Sequence, residues 1–310
     1  MLSRTANNLF WLARYMERMD YVARLLEVGQ RMAGLSGVGE DWRSALIAAG
    51  CEPGFTKKHE VVSTAAVVDF LFRDPDNPSS IRSCINTARQ NARAVRTAIT
   101  MDMWEAINGT WQESRELFDG GLRPEDLSRA TDWVKTRAVL YRGAYGSTML
   151  RSEAYWFARL GSHIERADNT ARILDVKYHV LLPDYEAVGG GLDYHHWTAI
   201  LRAVSALRAY HWVYRDRVKP WNVAELMILR PEMPRSLRAC YDEITSNLDL
   251  LGATYGGRYG ECHRLAGEQH ARLRFGRIDN IFQTGLHEFL TDYIDRTLEL
   301  GDEISAFFLF

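Results

Sequence analysis

"LARYMERMDYVARLLEV" at residues 12–28 returns without a gap as "LGSHIERADNTARILDV" at residues 160–176. The two stretches agree, in order, at Leu, Glu, Arg, Asp, Ala, Arg, Leu and Val, and most other pairs are close substitutions. In both, apolar residues recur three and four positions apart, which is the period of a helix with one buried face. We therefore predict two long helices related by a pseudo-repeat, and we expect them to set the fold.

The rest of the chain also has helical period, and no run of strict alternation indicates a sheet. The fold class predicted is all-α, a multi-helix bundle of about ten helices. Glycine, proline and capping residues place the helices at about 5–33, 41–50, 57–72, 81–99, 102–118, 124–146, 149–182, 194–214, 223–230, from Pro234 onward, and 278–308.

The repeat divides the chain into halves of about residues 1–146 and 147–310. The segment between the halves is too poor in linker residues to separate independent domains, so we predict one continuous domain over residues 1–310.

The composition narrows the class of protein. A net charge of −2 argues against a general nucleic-acid binder, because phosphate backbones are bound by cationic surfaces. No stretch of about 18 apolar residues predicts a transmembrane segment, and the first residues lack the apolar run of a signal peptide. Four cysteines without zinc spacing are typical of reduced thiols, so we expect a cytoplasmic protein.

A charged stripe runs beside the apolar seam of each repeat. In the first it contains Glu17, Asp20 and Arg24, and in the second Glu165, Asp168 and Arg172. Three interpretations stay open: a solvated face, a polar network between packed helices, or a pocket for a charged ligand. If the stripes meet across a pseudo-twofold, the expected partners are Glu17 with Arg172, Asp20 with Asp168, and Arg24 with Glu165.

Arginine is far more frequent than lysine, with 33 Arg against five Lys. Two further arginine groups are candidates for anion binding, since a guanidinium pairs bidentately with carboxylate or phosphate. A solvated basic face remains the alternative for the first of them. The groups are Arg89, Arg93 and Arg96 on one helix side, and Arg230, Arg235 and Arg238 around a helix start.

Common catalytic motifs are absent from the sequence. No Glu-x-x-His pair suggests a di-metal site, so we predict no metal. No GxxxxGK[ST] loop and no GxSxG elbow occur, and we predict no cofactor.

Several motifs in order resemble the bacterial alpha-E family of helical proteins. They are "RTANNLFWLARYMERMDYVARLL" (4–26), "ARQNARAVR" (88–96), "WEAIN" (104–108), "IERADNTARILDVKYH" (164–179) and "PRSLRACY" (234–241), and they cover essentially the whole chain. One departure is visible, because the second long motif usually carries Gly-Arg where this chain has Gly161 and Ser162. Arg14 therefore has no twin in the second half.

The resemblance implies partners and site residues. Family members are typically encoded beside, or fused to, ATP-grasp-type ligase-like proteins and transglutaminase-like proteins, which suggests an amide-bond-forming or peptide-modifying system. The positions matching the family's charged signature are Arg4, Arg14, Glu17, Arg18, Arg24, Arg89, Arg93, Glu105, Glu165, Arg166 and Arg172.

Two hypotheses about function follow. The first is an accessory, scaffolding or substrate-binding protein for an ATP-dependent peptide ligase or peptide-modification system, with an Arg/Glu polar site between the two long helices. The alternative is an enzyme in which Glu17 or Glu165 acts as general base. That enzyme would act on a small anionic or peptide substrate, and an anionic substrate would be clamped by Arg14, Arg24 and Arg172. Homo-oligomerisation stays open.

Overall fold

A computed structural model describes residues 1–36, 40–120, 122–180 and 191–309. These residues form fifteen α-helices and one 3₁₀ turn at Pro124–Asp126, with no strand among them. The helices are α1 Ser3–Ser36, α2 Glu40–Ala48, α3 Glu52–Thr56, α4 Thr64–Phe72, α5 Ile81–Ala94, α6 Met101–Asp119, α7 Leu127–Thr148, α8 Glu153–Val180, α9 Gly191–Ala203, α10 Leu207–Tyr214, α11 Pro220–Ile228, α12 Leu237–Thr254, α13 Glu261–Arg274, α14 Ile278–Thr284 and α15 Leu286–Phe308.

The two predicted long helices are α1 and α8, and they form the centre of the bundle. Each packs more extensively against the other than against any other helix. Around this pair, α5 and α7 pack on α1, while α12, α15 and α2 pack on α8. The predicted apolar seams are buried throughout: Leu12, Met16, Met19, Ala23 and Leu26 in α1, and Leu160, Ile164, Ala167, Ala171 and Leu174 in α8.

The backbones of α1 and α8 approach closely at Gly161. A Cβ at this position would overlap the carbonyl oxygen of Phe10 and lie 3.0 Å from its carbonyl carbon. Further along, Arg18 of α1 reaches Glu165 of α8. The contacts therefore advance in the same direction on both helices, and α1 and α8 lie side by side in parallel.

The all-α prediction is confirmed, and the helix count is higher because several predicted helices are divided. The predicted helix 194–214 breaks at Ser205, whose φ is 60°, giving α9 and α10. The predicted helix 278–308 breaks at Gly285, whose φ is 101°, giving α14 and α15. Left-handed backbone at one residue ends the hydrogen-bond ladder without changing the apolar period on either side, so periodicity does not reveal it.

Some predicted helix starts are wrong. The helix predicted from residue 57 begins at Thr64 with Ser63 as its cap, and α3 occupies the segment predicted as a loop. The helix predicted at 223–230 begins three residues earlier, at Pro220. In α12 the cap is Ser236, whose hydroxyl accepts a hydrogen bond from the Ala239 backbone at 3.0 Å. The predicted end of the second long helix at residue 182 lies outside the described residues.

Candidate functional site

The two Glu-Arg dipeptides of the chain cross-pair between α1 and α8. Arg18 donates from Nε to Oε1 of Glu165 at 2.6 Å and from Nη2 to Oε2 at 3.1 Å. In the reciprocal pair, Arg166 donates from Nε to Oε2 of Glu17 at 3.3 Å and from Nη2 to Oε1. Each helix thus supplies the acid that neutralises the other helix's base.

Both glutamates lie inside the protein, each with 2% of its surface exposed. Asp20 is completely buried and Arg24 nearly so. The solvated-face interpretation of the stripes is therefore wrong. The expected partners are also wrong in detail, because the cross-helix pairs use Arg18 and Arg166 rather than Arg24 and Arg172.

On the Glu17 side, arginines from other helices close the cluster. Arg142 of α7 donates from Nη1 to Oε1 of Glu17 at 3.3 Å and to Oδ2 of Asp20 at 3.2 Å. Arg235, just before α12, donates from Nη2 to Oδ2 of Asp20 at 2.6 Å. Arg24 forms an ion pair with the same oxygen at 3.2 Å and donates from Nη1 to the Ala203 carbonyl.

The charges of these arginines determine the ionisation of the carboxyl groups. Burial alone would raise the pKa of Glu17, but Arg166, Arg142 and Arg235 outweigh it and lower that pKa to about 2. The pKa of Asp20 is likewise held well below its ordinary value, against the effect of burial, by Arg235 and its neighbours. Burial lowers the pKa of Arg235 to about 10.

Arg142 explains how the structure accommodates Ser162. Arg14 contributes a second donor to Glu165, whereas its counterpart in the repeat, Ser162, is too short to reach Glu17. Arg142 occupies that role from a different helix. Each glutamate is therefore paired with two arginines. Both arginines at Glu165 come from α1, whereas those at Glu17 come from α8 and α7.

A pocket of about 220 Å³ opens on the Glu165 side of the network. Arg14 lies on one wall, donating from Nε to Oε2 of Glu165 at 2.8 Å and stacking on Trp11 with 4.5 Å from Cζ to the ring centroid. The pocket is lined by Arg14, Arg18, Tyr21, Val22, Ala49, Gly50, Ser79, Glu165, Asp168, Asn169, Arg172 and Leu298.

The side chain of Glu165 is less exposed than those of the two arginines that pair with it. Side-chain exposure is 2% for Glu165, against 11% for Arg14 and 22% for Arg18. Burial opposes ionisation of Glu165, but Arg18 and Arg14 outweigh it and lower its pKa to about 2. Arg172 donates from Nε to Oδ2 of Asp168 at 2.8 Å, and that pairing raises the pKa of Arg172 although burial alone would lower it. The pocket is therefore lined by three arginines, each paired with a carboxylate.

Ten of the sequence-predicted residues lie together in this network or its pocket, and seven lie elsewhere. Among the seven, Arg96 stacks on Trp104 and Arg230 pairs with Glu225 at 3.1 Å. Arg4, Arg93 and Glu105 are exposed. Arg89 donates to Asn108 at 2.9 Å and stacks on Trp111, and Arg238 pairs with Asp242 at 3.0 Å. The ten are Arg14, Glu17, Arg18, Asp20, Arg24, Glu165, Arg166, Asp168, Arg172 and Arg235.

The whole chain matches one family model. Residues 1–309 match Alpha-E, described as a predicted alpha-helical domain with a conserved ER motif. The chain belongs to the Alpha-E family. Glu-Arg occurs twice in its sequence, at residues 17–18 and 165–166, and these are the two dipeptides that exchange partners in the structure. In this Alpha-E protein, the motif is thus the contact that joins the two central helices.

Similar proteins occur in mycobacteria. The Alpha-E chain is 25% identical over 301 residues to uncharacterised proteins of Mycobacterium bovis and of Mycobacterium tuberculosis strain CDC 1551, and 24% identical to one of strain H37Rv. Each match covers 87% of this chain and 32% of the relative, so the chain spans about a third of the length of these relatives. No solved structure matches the chain significantly.

Sequence reasoning missed several residues of the Alpha-E site. Arg142 lies outside both repeats, so no motif marks it. The sequence offers one indirect indication. In the second repeat Ser162 replaces the arginine that corresponds to Arg14, so a buried Glu17 needs a cation from another helix. Tyr21, Asn169 and Ser79 line the pocket without any motif of their own.

Two searches of the described residues had negative results. No group of three or more His, Cys, Asp or Glu side chains within the described ranges could hold a metal ion. Among the helices in those ranges, none has a segment long and apolar enough for a membrane crossing.

Proposed function

We propose that this protein is a substrate-binding accessory protein of an ATP-dependent peptide ligase or peptide-modification system. In this proposal it holds an anionic group of the substrate in the pocket between α1 and α8. The observation that carries the proposal is the arrangement of Arg14, Arg18 and Arg172 around one polar pocket, with the carboxylate of Glu165 beneath them. Guanidinium groups in partly buried sites are suited to bidentate recognition of carboxylate and phosphate.

Binding is better supported than general-base catalysis. An effective general base has a pKa near the working pH, whereas the pKa values of Glu17 and Glu165 are about 2. Both carboxylates also have their oxygens occupied by arginine donors. Such groups fix the positions of arginines and accept protons poorly at neutral pH.

The ligase-like and transglutaminase-like partners come from the family resemblance. The length of the mycobacterial relatives supports joint action, because about two thirds of each relative lies outside the match. Four free, buried cysteines agree with a reducing compartment, and we place the protein in the cytoplasm. We propose no nucleic-acid partner.

The test is reconstitution with an ATP-grasp-type protein encoded in the same genome. We expect the two proteins to co-purify and the ATP turnover of the partner to rise when this chain is added. Arg14→Gln should abolish the rise without preventing co-purification, while Arg238→Gln, outside the pocket, should leave both unchanged. Failure to co-purify, together with substrate turnover by this chain alone, would overturn the proposal in favour of the enzyme alternative.

A further inference from the structure

The polar network carries more positive than negative charge. Seven arginines take part, Arg14, Arg18 and Arg172 at the pocket and four more around Glu17, and they face only four carboxylates. Three positive charges therefore remain in excess in a largely buried region. One lies at the pocket, where three arginines face Glu165 and Asp168, and two lie around Glu17 and Asp20. Uncompensated charge in such surroundings is costly, and a bound anion would remove part of that cost.

The arginines that line the pocket also keep donors that are not used. Arg14 and Arg172 each use Nε for a carboxylate, and Arg18 uses Nε and Nη2. Their other terminal nitrogens, Nη1 and Nη2 of Arg14 and Arg172 and Nη1 of Arg18, form no hydrogen bond with another described residue. Three arginines that line one pocket thus carry five terminal nitrogens without a partner among the described residues.

The size of the pocket limits what these donors can hold. Its volume of about 220 Å³ is below the range of about 300–1,000 Å³ of pockets that enclose drug-sized ligands. It suits a small anion or the charged end of a longer molecule. A phosphoryl group has three strong acceptor oxygens and up to two negative charges, and so matches three guanidinium groups better than a single carboxylate does.

We propose that the pocket binds a phosphoryl dianion, either free phosphate or the phosphate end of a monoester, between Arg14, Arg18 and Arg172. This inference rests on the proposed function, because it names the chemical class of the anion for the same pocket. Since the second proton of a phosphate monoester dissociates near pH 6, binding of a monoester should strengthen as pH rises through that value. Binding of free phosphate should strengthen at a higher pH, where its own second proton dissociates.

Five groups near these arginines have pKa values displaced away from pH 6. Glu165 has a pKa of about 2, and burial raises the pKa of Tyr21, Cys51 and Cys84. Burial and the charges of Arg166 and Arg159 hold the pKa of His163, next to this layer, well below its ordinary value. The remaining charged group is Asp168, paired with Arg172. A change in phosphate affinity near pH 6 would therefore report the ligand's own proton.

Isothermal titration of the full chain tests the inference with four probes: inorganic phosphate, methyl phosphate, sulfate and acetate. Between pH 5.0 and 7.5 we expect affinity for methyl phosphate to rise about tenfold, because about a tenth of its molecules are dianionic at pH 5.0. Affinity for inorganic phosphate should rise more steeply over the same interval, because its second proton dissociates at a higher pH. Sulfate is a dianion at both pH values, so its affinity should stay constant and control for titration of the protein. Acetate should bind at least tenfold more weakly than phosphate at pH 7.5.

Two variants locate the binding. Arg172→Gln should reduce phosphate affinity at least tenfold, whereas Arg238→Gln should not change it. The control is closely matched, because both arginines pair through Nε with an aspartate four residues away, at 2.8 and 3.0 Å, with side chains 23% and 17% exposed. Ser79→Asp should also abolish binding, because it places a fixed negative charge on the pocket wall and leaves every arginine pair intact.

The outcomes separate this inference from the proposed function. Acetate binding as tightly as phosphate, with loss in Arg172→Gln, would overturn the phosphoryl assignment and leave an anion pocket. Absence of binding by all four probes would overturn the phosphoryl inference, and reconstitution with the partner would then judge the proposed function separately. Methyl phosphate binding as well as inorganic phosphate supports an ester end, and binding of inorganic phosphate alone supports the free ion.

Discussion

Replacing Glu165 with glutamine should strongly destabilise the protein. Glu165 is 2% exposed and accepts hydrogen bonds from Arg14 at 2.8 Å and from Arg18 at 2.6 and 3.1 Å. Glutamine has nearly the same shape but no charge, so two partly buried guanidinium groups would face one another without a counter-charge. Removing one partner of a buried ion pair costs about 3–5 kcal/mol of stability.

The pKa of Glu165 gives a second estimate of how much stability its ion pairs contribute. Its pKa of about 2 in the folded chain lies well below the ordinary value of 4.5. At about 1.4 kcal/mol for each pH unit, this interval corresponds to about 3 kcal/mol of stabilisation at neutral pH. We therefore expect Glu165→Gln to lower the free energy of unfolding by about 3 kcal/mol and the melting temperature by about 6 °C.

Urea unfolding followed by far-ultraviolet circular dichroism measures this change, with differential scanning calorimetry for the melting temperature. Glu243→Gln is the control, because Glu243 also pairs with an arginine of α8 but its side chain is 42% exposed. Exposed pairs contribute about 0–1 kcal/mol. A loss below about 1 kcal/mol in Glu165→Gln, equal to that of the control, would refute the claim that the cross-helix pairs hold α1 against α8.

Three further predictions concern the same layer of the fold. The folded pKa values of Glu17 and Glu165 are depressed, so the stability that these groups contribute is complete above pH 4.5 and lost as pH falls toward 2. The free energy of unfolding, measured as a function of pH, should show this loss, and it should depend less on pH in Glu165→Gln. Gly161→Ala should destabilise the protein by at least about 2 kcal/mol, because the added Cβ meets the Phe10 backbone. Gly143→Ala in α7 should stabilise the protein by about 0.5–1 kcal/mol in the same urea assay, because its Cβ meets nothing within 4 Å. Arg142→Gln should lower the free energy of unfolding by about 2–3 kcal/mol, because it removes a charged donor from Glu17 and Asp20. Adding Ser162→Arg to that variant should restore part of the loss. A double variant no more stable than Arg142→Gln would show that the two positions do not share a role.

The central pair of helices could be predicted from the sequence because its signal is local and repeated. Apolar residues at helical spacing gave the seams of α1 and α8, and all ten predicted seam positions are buried. The repeated charged stripe also marked the right region, since a solvated face has no physical reason to keep Glu, Asp and Arg in register. Most residues of the network were therefore accessible to sequence reasoning.

The pairing within the network could not be predicted, because it depends on how two helices are rotated and shifted relative to each other. A helix rotation of one residue exchanges Arg18 for a neighbouring side chain at Glu165. Arg142 and Arg235 come from other helices, and only the tertiary fold brings them to Asp20. The division of the last predicted helix at Gly285 is likewise a property of one backbone angle.

The exchange of partners between α1 and α8 also has a consequence for synthesis of the chain on the ribosome. Glu17 and Arg166 are 149 residues apart. At about 5–20 residues per second, α1 would leave the ribosome roughly 7–30 s before its partner helix is made. During that interval the charges of α1 have no cross-helix partner and its apolar seam has no α8 to pack on. The first half is thus an incomplete unit, and its final packing must wait until translation has passed the second Glu-Arg pair.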